Sequence, residues 1–382
     1  MKVALLSDCY PPRLGGIERQ VHDLAHHLSA AGHEVEVFTA TAGPAGERGG
    51  ARTVEGGVTV HRMALPLPGG VPVNPLAPPE VRRRLEAGGF DVAHAHLGVV
   101  SPFATDLTRV ALDVGLPVAA TFHCVIDRSA PLFRLVGHLR RWADRGVAMT
   151  AVSSMAAARV SVAAGDAAVG VLGNGIDARW WREGLVEAGA RRPAGSPPGP
   201  DPVHVVTAMR LVSRKRPISL LRVLRQAREE LDASVPLRVT IAGEGPQRRV
   251  MEAYLRRHRM GWVAMPGRFD RVGLRALHQG ADLYLSTARL EAFGIAALEA
   301  HTAGLPVVAP RGTGVEDFVT SGVDGLLEPS DTALARGVAR LAEDAPLRER
   351  MSAHLLAAAP AQDWPSLVRA TLGEYRRAGA VG

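Results

Sequence analysis

The stretch LEAFGIAALEA, residues 290–300, sets two carboxylates, Glu291 and Glu299, around a small apolar run. Two carboxylates can divide acid and base work, or both can bind hydroxyl groups, or one can be a plain helix surface charge. A second stretch, MRLVSRKRP, gathers Arg210, Arg214, Lys215 and Arg216. Guanidinium groups grip phosphate oxygens in pairs and an ammonium acts as a compact charge, so this run fits an anionic ligand. A solvated charged face is the ordinary alternative. Lys215 stands apart, because Lys2 is the only other lysine among the 45 basic residues. Gly15 and Gly16 in YPPRLGG, and Gly243 and Gly245 in GEGP, let backbone approach a ligand closely or simply make a turn. The GxGxxG spacing of a dinucleotide site is absent. His123 ends TFHC, where an imidazole can meet a hydroxyl or a phosphate, or serve the core. His94 and His96 in AHAH lack an evident third ligand and read as structural. His22 and His26 share a helix face and read as solvated.

These residues need elements that hold them. KVALLS, EVEVFTA, VTVHR, DVAHA, LPVAATF, GVAMTAV and VGVLGN read as strands in the first half, with helices between most of them. Apolar residues at Ile17, Val21, Leu24, Ala25 and Leu28 predict a helix that Gly32 ends. VHVVTAM, LRVTIAG, WVAMPG, ADLYLST, LPVVAP and GLLEP repeat the pattern in the second half. Alternating strands and helices predict an α/β fold of parallel sheets covered on both faces. GLVEAGARRPAGSPPGPDP separates the halves. The expected organisation is therefore a domain over 1–185, a linker over 186–202, a second domain over 203–360, and a C-terminal helix over 361–382 that crosses back to the first. Both domains read as Rossmann-like, with an interdomain cleft expected between them and ligands expected beyond the carboxyl ends of the strands. Gly294 is expected near the start of a short helix carrying Glu299.

At 382 residues, 47% hydrophobic and 22% charged, the chain can bury two sizeable cores. The net charge of +7 suits an anionic ligand, and no nucleic-acid motif accompanies it. The apolar run after Lys2 is too short for a signal peptide, and no run reaches membrane-spanning length. The expectation is a cytoplasmic protein. Cys9 and Cys124 form no disulfide or metal framework and read as reduced thiols.

The segment E-x-F-G-I-x-x-x-E-A resembles the E-x7-E signature of retaining GT-B glycosyltransferases, especially family 4, the glycosyl transferases group 1. Further motifs follow in order: P-x-x-G-G-I-E with Gly15, Gly16 and Glu18; FH with His123; NGID at 174–177; RLVSRK with Arg210 and Lys215; GEGP at 243–246; and G-x-D-G-L-L at 322–327. The opening stretch YPPRLGGIERQVHDLAHHLSAAGHEVEVFTA, residues 10–40, is similar to enzymes that glycosylate inositol-containing acceptors, phosphatidylinositol mannosyltransferases among them. The resemblance implies a GT-B fold and transfer of a sugar from a UDP- or GDP-linked donor to a hydroxyl. The acceptor would be a small molecule, lipid or glycan. No cofactor is implied for the chemistry, and no metal site. Arg210 and Lys215 would hold the donor diphosphate, Glu291 the donor sugar, and Glu299 the ribose. His123 would reach the sugar from the first domain. Gly15, Gly16, Gly243, Glu244 and the Phe293–Gly294–Ile295 backbone would line the donor, and Tyr10 and Asn174 the acceptor. Met209, Ala292 and His301 depart from the family's usual residues, which bears on loop shape and sugar preference.

A glycoside hydrolase would also use paired carboxylates, but has no diphosphate to hold. A GT-B epimerase or phosphorylase is a nearer alternative. A non-enzyme alternative is a peripheral membrane protein using residues 132–145, where Leu132, Phe133, Leu135, Val136, Leu139 and Trp142 alternate with arginines. An ordinary surface helix also fits that stretch.

Overall fold

The computed structural model describes residues 1–126, 137–185 and 201–381. Two compact units are found: Met1–Gly175 together with Gln362–Gly382, and Ile176–Ala361.

The first unit is built on one sheet. Its strands are β1 (Lys2–Ser7), β2 (Glu34–Thr39), β3 (Ala51–Glu55), β4 (Val58–Arg62), β5 (Val92–Leu97), β6 (Val118–Phe122), β7 (Ala148–Ala151) and β8 (Gly170–Val171). They lie in the order β3-β4-β2-β1-β5-β6-β7-β8. All pairs are parallel except β3 with β4. The sequence reading missed β3, because an edge strand with no buried residue shows no apolar run. Side chains alternate across a strand, so β1 feeds two cores. Ala4 and Leu6 pack with Phe38, Phe90 and Phe103. Val3 and Leu5 pack with Leu24, Trp364 and Tyr375.

The helix Gly16–Ala30 buries Val21, Leu24, Ala25 and Leu28, the face its spacing predicts. Gly32, at φ 88°, closes it in the left-handed region. The helix Trp364–Arg377 belongs to this unit. Trp364 stacks on His27 at 4.6 Å, and the Tyr375 hydroxyl meets His94 Nδ1 at 3.0 Å. His22 and His26 are not solvated as expected. Both are half-buried, and His26 bonds the carbonyls of His22 and Glu55 at 2.8 and 3.1 Å.

The boundary falls at 175, not 185. The helix Ala178–Arg182 groups with the second unit, where Trp181 is buried beside His278. Residues 186–200 of the expected linker lie outside the described residues. The second sheet has β9 (Val203–Ala208), β10 (Leu237–Ala242), β11 (Val263–Gly267), β12 (Leu283–Leu285), β13 (Val307–Pro310) and β14 (Gly325–Glu328). Its order is β11-β10-β9-β12-β13-β14, parallel throughout. Val205 and Leu283 enter one core, Val206 and Tyr284 the other.

Each sheet is wound in both directions from its first strand. The order reverses between β1 and β5, and between β9 and β12. Loops leaving adjacent strands there turn to opposite faces and open a crevice beyond the carboxyl ends.

Candidate functional site

In the second unit the crevice opens beyond β9 and β12. β9 runs out into Met209–Val212 and one 3-10 turn, Ser213–Lys215. β12 runs out into the loop that ends at Gly294. These strands pair directly, Val205 opposite Leu283, so their loops lie side by side. The Lys215 ammonium is thereby ion-paired to Glu291 Oε2, with the two side chains only 24% and 17% exposed. A pair so shielded from water interacts more strongly than a surface pair. Arg210 stands exposed on the same post-β9 segment.

Three glycines let backbone segments meet here. A Cβ on Gly243, at φ 142°, would fall 1.8 Å from the Met209 carbonyl oxygen. A Cβ on Gly245, at φ 156°, would fall 2.6 Å from that of Leu211. GEGP therefore packs directly under the post-β9 loop, and Leu211 N–H donates to the Glu244 carbonyl at 2.9 Å. The Glu244 side chain turns outward to Arg248 at 2.7 Å. Gly314, which the sequence reading did not single out, would collide through a Cβ with the Ala292 carbonyl at 2.0 Å. Its N–H braces the Glu291 carbonyl at 2.9 Å.

Gly294, at φ 95°, precedes the helix Ile295–Thr302. Glu299 is half-buried on that helix, and Phe293 is buried against Phe318. Tyr284 lies within electrostatic reach of both glutamates. Its hydroxyl donates to the Ala208 carbonyl at 3.1 Å, at the end of β9. Burial first, then the charges of Glu291 and Glu299, push this phenol's pKa up. Ion pair, glycine turns and helix start thus converge at one end of the sheet. An anionic group bearing hydroxyls is the ligand such a surface suits.

In the first unit the crevice beyond β1 and β5 is a pocket of about 310 Å³. Asp8, Arg13, Ile17, Val73, His96 and Ser101 are among its walls. Asp8 is 5% exposed and accepts from the Phe103 and Ala104 N–H groups at 3.1 and 3.3 Å. Burial outweighs these bonds and pushes its carboxyl up to about 6. His96 Nδ1 meets His123 Nε2 at 3.0 Å, while His96 Nε2 is buried without a hydrogen-bond partner. Burial also pushes His123 down to about 4, so its ring is neutral at pH 7. His94 bridges Tyr375 and Thr121, the structural role expected of it. Asp8 and the position of His96 in this wall were missed; a carboxylate directly after the first strand was the available signal.

Gly15 and Gly16 are exposed at the start of the helix Gly16–Ala30. A Cβ on Gly15 would meet the Glu18 carboxylate at 2.1 Å. Glu18 itself is buried and faces Arg13 at 3.4 Å. Tyr10 is not placed to meet an acceptor: it is 0% exposed, under the guanidinium of Arg62 at 5.2 Å. Its flanking loop explains this, since the buried Arg62 draws in the Pro11 carbonyl at 2.6 Å. Asn174 is buried at 4% and acts on His123, raising its pKa against the larger effect of burial.

Of the stretch 132–145, residues 132–136 lie outside the described residues. Leu139 and Trp142 turn into the core of the first unit and offer no membrane face, while Arg140 and Arg145 pair with Asp144 and Asp113. Among the described residues no helix is long and apolar enough to cross a membrane. Nor does any group of three or more His, Cys, Asp or Glu among them converge on a metal position.

Comparison with known proteins identifies the family and the fold. Residues 14–180 match the family described as Glycosyltransferase Family 4, and residues 193–354 match Glycosyl transferases group 1. The chain is 30% identical over 377 residues to the phosphatidyl-myo-inositol mannosyltransferase of Mycobacterium leprae, covering 96% of this chain and 94% of the relative. It is 26% identical over 388 residues to a GDP-mannose-dependent alpha-mannosyltransferase of Mycobacterium tuberculosis, covering 98% and 96%. Sucrose-phosphate synthase from Thermosynechococcus elongatus superposes with a TM-score of 0.74 at 18% identity, over the whole of both chains, which establishes the GT-B fold. The chain therefore belongs to the family 4 glycosyltransferases, the glycosyl transferases group 1, and is an enzyme of that class.

Proposed function

We propose that the enzyme transfers a mannosyl group from GDP-mannose, with retention, to a hydroxyl of an inositol- or cyclitol-containing acceptor. The observation that carries this reading is the Lys215–Glu291 pair at the reversal point of the second sheet. It sets a cation and a hydroxyl-binding carboxylate side by side, as a sugar linked to a diphosphate requires. The named activities of the two mannosyltransferase relatives support the choice of donor and acceptor.

In this reading Lys215 and Arg210 face the diphosphate. As the bond between the anomeric carbon and the phosphate oxygen breaks, negative charge grows on the leaving diphosphate, and fixed positive groups stabilise it most at that moment. Glu291 accepts from sugar hydroxyls, Glu299 from the ribose. Gly243, Glu244 and the Phe293–Ile295 backbone line the diphosphate, and Gly15 and Gly16 give the donor room. The acceptor occupies the Asp8–His96 pocket, with Asn174 beside it. Its hydroxyl attacks the face that the diphosphate leaves, and its proton passes to a leaving phosphate oxygen. Neutral His123 serves as a hydrogen-bonding group to the sugar. The protein's own cations carry the leaving charge, with no step on a cofactor.

A thermal-shift panel of GDP-mannose, UDP-glucose and ADP-glucose, followed by transfer of labelled mannose to myo-inositol and phosphatidylinositol, tests this. GDP-mannose is expected to raise the melting temperature most. Stabilisation by UDP-glucose alone would replace the donor; labelled product with inverted configuration would overturn retention.

A further inference from the structure

We propose that Asp331 is a positioning residue for the donor diphosphate, holding both members of the Lys215–Glu291 pair through Arg216 and Arg289. The proposal rests on the reading of that pair as the donor site.

Arg216 directly follows Lys215. It is one of the few residues other than glycine at positive φ, 59°, among the described residues. A bulky residue is uncommon there, and glycine would fit more easily. What the arginine supplies is its side chain. Its guanidinium forms a fork on Asp331, with Nη1 to Oδ1 at 3.0 Å and Nη2 to Oδ2 at 2.7 Å. Nη1 also donates to the Thr287 carbonyl at 3.1 Å, on the loop that leads to Glu291. From that same loop Arg289 donates to Asp331 Oδ1 at 3.2 Å and to the Pro329 carbonyl at 3.2 Å.

One carboxylate thus receives a cation from the residue after Lys215 and another from the residue two before Glu291. Asp331 is 115 positions from Arg216 and 42 from Arg289, so no local rule relates the three. The Arg216 hydrogen bond, ahead of all other influences, holds the Asp331 carboxyl below its ordinary range, so the hub stays ionised at neutral pH. A simpler role exists. Asp331 opens the helix Asp331–Glu343, where a negative charge is favourable. Ser330 already caps that helix through the Ala333 N–H at 3.1 Å, and helix capping does not call for two arginines drawn from the two donor loops.

Calorimetric titration of the full chain with GDP, and separately with UDP, distinguishes these roles. Asp331→Asn and Arg216→Lys are each expected to weaken binding of the preferred nucleotide roughly tenfold, because a lysine cannot reproduce the fork. Melting temperatures report folding in parallel. In a Lys215→Ala background the same changes are expected to cost less than about twofold, since the group they position is gone. If Asp331→Asn leaves affinity unchanged, or weakens it by the same factor with and without Lys215, the proposal fails while the donor-site reading stands. If Lys215→Ala binds GDP and UDP as well as the wild type does, both fail.

Discussion

The ammonium of Lys215 meets the carboxylate of Glu291, 76 positions further along the chain. The link exists because β9 and β12 are neighbours in the sheet and their loops leave at the same edge. For the proposed transfer, Lys215→Ala is expected to lower kcat/KM by about 10²–10³-fold, the usual effect of removing one preorganised group from a site of developing charge. Melting temperature should move little, since neither side chain belongs to a core. Lys215→Arg restores charge but not its compact placement, so partial recovery is expected. Steady-state kinetics beside a melting curve decide this, and full activity in the alanine variant would remove the site.

Gly243 separates two reasons for a glycine. At φ 142°, with a Cβ 1.8 Å from the Met209 carbonyl, Gly243→Ala is strained in backbone and blocked in space. A loss of roughly 3 kcal/mol or more is expected. Gly32, at φ 88°, has nothing within 4 Å of a Cβ, so Gly32→Ala should cost only about 1 kcal/mol. Urea unfolding of the two variants gives the comparison; equal losses would mean that the post-β9 loop moves aside freely.

Asp8 predicts a pH effect with a definite sign. Its carboxyl is at about 6 in the native state against an ordinary 3.8. Between these values the native state keeps a proton that the unfolded chain has released. This group's contribution to stability therefore declines as pH rises from about 4 to 6, by about 3 kcal/mol. The difference between wild type and Asp8→Asn should track that window. Unfolding midpoints at pH 4, 5, 6 and 7 measure it, and a difference independent of pH would contradict the assignment.

Arg182 closes two helix ends at once. It donates to the Thr302 carbonyl at 3.1 Å and to those of Leu355 and Ala358 at 2.8 Å. Carbonyls at helix ends lack intrahelical partners, and the helix ending at Thr302 carries Glu299. Arg182→Met should keep the packing and lose about 1–3 kcal/mol of stability. Chemical unfolding followed by tryptophan fluorescence reads this through the adjacent Trp180 and Trp181, and an unchanged midpoint would show that water replaces the guanidinium at no cost.

Thirteen of the strands were legible from short apolar runs bounded by Gly, Pro or polar residues, because strands buried on both faces need such runs. The edge strand Ala51–Glu55 was not, since half-exposed residues carry no such mark. Gly294 as a helix start and Gly32 as a helix end were legible from backbone requirements alone. Lys215 and Glu291 could be singled out by residue type and by their places after strands. Their pairing could not, because strand order is settled by which faces bury each other and not by order along the chain. Tyr10 shows the limit from the other side. The resemblance put it beside the acceptor, but the buried Arg62, brought alongside by β4, draws its loop inward. Asp331 was invisible for the same reason. Residue type and local spacing determine which groups exist and which elements carry them; only the packed sheet determines which of those groups touch, since contact depends on neighbours brought together by burial from distant parts of the chain.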